Sequence, residues 1–166
     1  MSAETWNSTE ISGGSGTDEL TITTNLASAA TAGYTVAIDS GDGKDTITLN
    51  AAASVASASA AGAYITFEID EYTKGTDKIN LTLNANTKVK SIDWTTLKNV
   101  ESLDELAGAS MSMSAGQYGF ILDGNAYLLN ATTAVSAGLN AAEGYLIKLA
   151  GVKDSADVAA SDFYTA

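Results

Sequence analysis

Apolar and polar residues alternate with a period of two in several short stretches: Leu20/Ile22, Tyr34/Val36/Ile38, Ile47/Leu49, Ile65/Phe67/Ile69 and Ile79/Leu81/Leu83. Thr, Asn, Ala or Glu fill the positions between them, which predicts half-buried β-strands with one face toward a core. Ahead of three of these runs stands an acidic glycine turn: GGSGTDELTIT from Gly13, SGDGKDTITLN from Ser40 and TKGTDKINLTLN from Thr73. Each places a Gly, an Asp two residues on, and an aliphatic two further: Gly16/Asp18/Leu20, Gly43/Asp45/Ile47 and Gly75/Asp77/Ile79. The Asp-to-Asp spacings are 27 and 32 residues, so the repeating unit is strand, turn, strand, connector. Two connectors, Leu26 to Gly33 and Ala51 to Gly62, are Ala/Ser-rich and read as short helices or compact loops. Trp94, Leu97, Val100, Leu103 and Leu106 recur at a period near three, which fits a helical turn or another coil of the repeat. Gly108 to Gly116 reads as a linker. Strands are expected at Tyr118 to Leu122, Ala126 to Asn130 and Gly144 to Ala150, with Asp123-Gly124 as a hairpin turn between the first two.

The fold class expected is therefore all-β. A repeat region, either β-roll or solenoid-like or a sandwich, is followed by antiparallel C-terminal strands. The division expected is an N-terminal segment at 1–12, the repeat region at 13–107 and a C-terminal region at 108–166.

Composition narrows the chemistry. The 166 residues contain no Cys, His or Pro, and all eight basic residues are Lys. Disulfides, thiolate sites, Cys nucleophiles, imidazole bases and imidazole metal ligands are thereby absent from the sequence. Twenty acidic residues give a formal charge of −12, which repels phosphate backbones and argues against nucleic-acid partners. The same charge suits hard cations that take oxygen ligands. No apolar run approaches the roughly 18 residues a membrane span needs, so no membrane insertion is expected. MSAETWNSTE has neither a basic start nor an apolar stretch, hence no cleavable secretory signal is visible.

The acidic turns carry the chemistry. Gly13 to Thr21 fits G-G-x-G-x-D-x-U-x, the nonapeptide of calcium-binding parallel β-rolls. Glycines let a loop turn its carbonyls toward an ion, the Asp adds a carboxylate, and the aliphatic anchors the loop in the core. If successive coils stack, Asp18, Asp45 and Asp77 fall in line with Gly16, Gly43 and Gly75, with Asp39, Asp42 and Asp70 near the same edge. These nine residues are the candidate Ca²⁺ ligands. As plain turn formers, Gly and Asp would also explain any one of these segments; the repetition in register and the net charge favour calcium. Glu68, Asp70 and Glu71 could form a carboxylate pair, but Glu68 and Asp70 lie on the strand face opposite Ile69 and read as solvated.

The acidic turns resemble those of RTX-type proteins exported by bacterial type I secretion. The segment from Gly116 to Ala166 is similar to the C-terminal domains of type I secreted proteins, including surface-layer and adhesin proteins, through "AYLLN", "YLIKLAGV" and the closing Ser161-Asp162-Phe163. The sequence departs from that group in lacking tandem nonapeptides. The resemblance implies an uncleaved C-terminal export signal, a type I secretion apparatus as partner and an extracellular or cell-surface location.

With the repeat region and tail using up the chain, no separate catalytic domain is expected. The function expected is that of a non-enzymatic structural subunit, folding with Ca²⁺ outside the cell and self-assembling into a filament or surface lattice. Residues 1–12 are expected to serve as a donor strand to a neighbouring subunit. One alternative is a monomeric calcium-binding adhesin or matrix module; another is a small enzyme using only carboxylates and Lys.

Overall fold

The structure is a computed structural model that describes residues 10–24, 33–51, 61–108 and 110–166. Its strands, in chain order, are β1 (Glu10–Ser12), β2 (Ser15–Gly16), β3 (Glu19–Thr24), β4 (Tyr34–Asp39), β5 (Asp42–Gly43), β6 (Thr46–Ala51), β7 (Ile65–Asp70), β8 (Lys78–Asn80), β9 (Thr87–Lys88), β10 (Ser112–Met113), β11 (Gly116–Leu122), β12 (Asn125–Ala131), β13 (Val135–Ser136), β14 (Gly144–Leu149) and β15 (Phe163–Thr165). The fold is mostly β. A six-stranded sheet runs β1-β4-β7-β14-β12-β11 and a five-stranded sheet β3-β6-β8-β15-β9.

The predicted repeat is visible in the register. Val36 aligns with Phe67 and Ile38 with Ile69 across the parallel pair β4/β7. Leu20 aligns with Ile47 across β3/β6, and Ile47 with Ile79 across β6/β8. Three strand–turn–strand units thus stack in parallel, and the turns join them where Gly16 pairs with Gly43 in β2/β5. Alternation sends Ile22, Ile47, Leu49 and Ile79 inward from one sheet and Val36, Ile38, Phe67 and Ile69 inward from the other, and all belong to one buried cluster. Each such side chain contributes about 1.5–3 kcal/mol on burial. The outer face of the five-stranded sheet carries Thr21, Thr48 and Asn80 in one aligned row.

The C-terminal strands close the stack instead of standing apart from it. β11 and β12 form the expected hairpin, with Leu122 opposite Asn125 across the two-residue turn. Asp123 and Gly124 both have positive φ, 49° and 72°, as that turn requires. β14 pairs antiparallel with β12 and parallel with β7, so the hairpin extends the first sheet. β15 pairs parallel with β8 and antiparallel with β9, extending the second. A second buried cluster, with Tyr64, Leu106, Phe120, Leu129, Leu139 and Leu146, gives the six-stranded sheet an apolar covering on part of its other side.

Several expectations need correction. The run Ile79/Leu81/Leu83 is strand only at Lys78–Asn80: the Leu81 N–H makes the last ladder bond to β15, to the Tyr164 carbonyl at 2.8 Å, and the chain then bends through Asn84 at φ 62°, leaving Leu83 exposed. The period-three stretch after Trp94 forms turns and a 3-10 helix at Leu103–Ala107, and Leu97 and Leu106 pack into the second cluster. The expected linker contains β10, which pairs with β13. Of the expected donor strand, Glu10–Ser12 is β1, parallel to β4 in its own sheet, so that part is already paired; residues 1–9 lie outside the described residues. The Ala/Ser connectors lie almost wholly outside them as well.

Candidate functional site: the acidic glycine turns

The turns form where the chain passes from the first sheet to the second. Their backbones approach so closely that only glycine fits. A Cβ on Gly41 would come within 1.7 Å of the Gly14 carbonyl oxygen, and one on Gly43 within 1.6 Å of that of Gly16. Gly41 also has φ +78°, in the left-handed region. The Lys44 N–H donates to the Gly16 carbonyl at 3.1 Å, the Thr46 N–H to Asp18 at 2.8 Å, and the Lys78 N–H to Asp45 at 2.8 Å.

The predicted alignment of aspartates is present. Asp45 Oδ1 accepts the Asp18 N–H at 2.9 Å, and Asp77 Oδ1 accepts the Asp45 N–H at 3.0 Å. Each carboxylate therefore fastens the turn before it. Asp45 is 1% exposed and Asp77 4% exposed, while Asp18 is half-buried. Burying carboxylates this way is costly unless their oxygens are satisfied. Asp77 meets the condition, since its Oδ2 also accepts the Thr73 N–H at 2.7 Å. Asp18 and Asp45 do not: the Oδ2 of each is buried without a hydrogen-bond partner.

Of the other predicted ligands, Gly16 and Gly43 lie together in the β2/β5 pair, and Gly75 sits alone in the third turn with φ +74°. Asp39 aligns with Asp70 across β4/β7, but Asp39 Oδ1 accepts the Gly41 N–H at 3.0 Å, closing its own turn. Asp42 and Asp70 are exposed. Among the described residues no three acidic side chains converge to hold a metal ion. A Ca²⁺ ion here would draw on two carboxylates plus turn carbonyls, a donor set that suits this ion. The unpartnered Oδ2 atoms of Asp18 and Asp45 fit that requirement.

Compared with family models, curated proteins and solved structures, the chain matches none.

Sequence reasoning missed the partner of the third turn. Asp162 is 7% exposed, and its Oδ2 accepts both the Tyr72 hydroxyl and the Gly75 N–H, each at 2.7 Å. Burial, and then the bond to Asp162, raise the Tyr72 hydroxyl above its ordinary pKa. Phe163, the next residue, is fully buried against the core. The closing Ser-Asp-Phe carries part of the resemblance, but nothing local announces that Asp162 meets a turn 87 residues earlier. Glu68, weighed as half of a carboxylate pair, instead forms an ion pair with Lys148. That bond raises the lysine's pKa above its usual value.

Proposed function

We propose that this protein is an extracellular structural subunit whose stacked acidic turns take up Ca²⁺ and whose folded units self-assemble into a filament or surface lattice. The fold is read as a short β-roll or solenoid-like stack closed at one end by the C-terminal strands. The observation that carries the calcium reading is the aligned Asp18–Asp45 pair with buried, unpartnered carboxylate oxygens. A cation would offset two buried carboxylates left with such oxygens on neighbouring turns, and hard oxygen donors select Ca²⁺ over transition metals. Secretion by a type I route rests on the likeness of the segment after Gly116. The mechanism follows from linkage. An ion bound only by the folded chain stabilises it, so folding strengthens where calcium is plentiful. With sites of the weak extracellular kind, Kd about 10⁻⁴–10⁻³ M, that happens outside a cell. The acidic turns take the Gly, Asp and aliphatic roles set out above, and no catalytic role is assigned to any residue.

Sedimentation and electron microscopy of purified protein in millimolar calcium and in chelator provide the test. Polymers with calcium support the reading. Monomers under both conditions, with an unchanged melting temperature, would refute it. Calcium-stabilised monomers would instead support the monomeric adhesin or matrix reading.

A further inference from the structure

We propose that copies of this chain join head to tail through the two ends of the five-stranded sheet, the β3 edge of one copy meeting the β9 edge of the next. The proposal rests on the self-assembly reading above and identifies the surface through which it would act. Among the described residues, β3 at one end of that sheet has β6 as its single strand neighbour, and β9 at the other has only β15. β3 spans six residues, Glu19–Thr24, and contains neither Pro nor Lys, the residues that commonly guard an edge. The six-stranded sheet offers less. β1 is only three residues long, and the β11 edge is crossed by Asp93, whose N–H donates to the Gln117 carbonyl and whose carbonyl accepts the Gly119 N–H, both at 2.9 Å. Thr95 and Thr96 hold that crossing in place through the Asp93 carboxylate.

Charge chooses the occupant. The sequence from residue 10 to 43 holds five acidic residues and no Lys. From residue 74 to 98 it holds five Lys against two Asp, a net positive segment in a chain of charge −12. The first segment supplies the β3 end of the sheet and the second supplies β8 and β9. Glu19 is exposed at the β3 edge, and Lys88 and Lys90 are exposed at and just beyond β9. Lys88 stands 5.9 Å from the Tyr164 ring, on the same outer face as Lys78. The two ends therefore repel their own kind and attract each other, which disfavours a two-fold dimer through either end. A contact between unlike surfaces leaves one free end of each kind after every addition, so growth continues unless the rotation between copies closes a ring. Complementary charge fixes the pairing of the ends and speeds their encounter.

The absence of Cys makes the test clean. Under assembly conditions and mild oxidation, the double variant Thr21→Cys/Asn86→Cys, at exposed positions of the two edges that leave their charges in place, should give a ladder of covalent multimers, and neither single variant should. Dimers from Thr21→Cys alone would overturn the head-to-tail arrangement. Independently, Glu19→Lys and Lys90→Glu should each weaken polymer growth about tenfold, and combining them should restore it. Retained secondary structure and melting temperature separate this effect from misfolding. Polymers that form normally in every variant and give no ladder would overturn this interface while leaving self-assembly standing. Wild-type protein that stays monomeric would overturn both.

Discussion

The first two acidic turns and the third are built from the same Gly-x-Asp-x-aliphatic pattern but are completed differently. Turns one and two stack backbone on backbone, and their aspartates each keep one buried oxygen without a partner. In the third turn both Asp77 oxygens accept backbone N–H groups, and Asp162 from the end of the chain holds Tyr72 and Gly75. Repetition places carboxylates in line; closure from elsewhere in the chain satisfies them. Any dependence on an ion should therefore reside in the first two turns, while the third should stand without one.

The largest expected effect comes from the closing segment. Phe163→Ala removes a fully buried ring and should cost about 3–5 kcal/mol, read by denaturant unfolding with or without calcium. An equal loss from truncating an exposed residue such as Leu83 would contradict the assignment of the closing role to β15. Tyr72→Phe should be milder, about 1.5–3 kcal/mol, because it removes a hydrogen bond to a buried carboxylate but leaves the Gly75 N–H in place. Asp45→Asn should sharpen the contrast. It should abolish most of the calcium response while Asp162→Asn leaves that response intact, as titration calorimetry would show. If Asp162→Asn were the variant that lost calcium binding, the two kinds of turn would have been assigned the wrong way round.

The alternation of Val36/Ile38, Ile65/Phe67/Ile69 and Ile47/Leu49 made the strands and their inward faces legible, because a sheet with a core on one side writes its period into the sequence. The spacing of Asp18, Asp45 and Asp77 likewise foretold their alignment. The early end of β8 at Asn80 was hidden, since Leu81 and Leu83 continue the pattern and only the bend that follows, with Asn84 at φ 62°, takes the chain out of the ladder. Asp162 was hidden for a different reason: its partners are brought to it by tertiary structure. The extra job of each aligned carboxylate, accepting an N–H from the preceding turn, was also illegible, because a Gly-Asp turn reads the same whether it faces an ion or an amide.

The smallest effect distinguishes the regions by pH. Tyr72 and Tyr145 hold their protons more tightly when folded, chiefly through burial. Above the ordinary tyrosine pKa of about 10 the unfolded chain releases these protons first, so stability should be level below that pH and fall above it. Tyr72→Phe should flatten part of this decline, whereas Asp45→Asn should leave it unchanged; alkaline melting curves would tell.

Scanning calorimetry of the wild-type chain, in chelator and then in about millimolar Ca²⁺, bears most directly on whether the aligned turns are completed by an ion. Occupancy of one weak site adds about 0.4–1.4 kcal/mol at that concentration, a rise of about 1–5 °C in Tm for a chain this size. The account predicts that rise, and its loss in Asp45→Asn. A Tm identical in both solutions would contradict it.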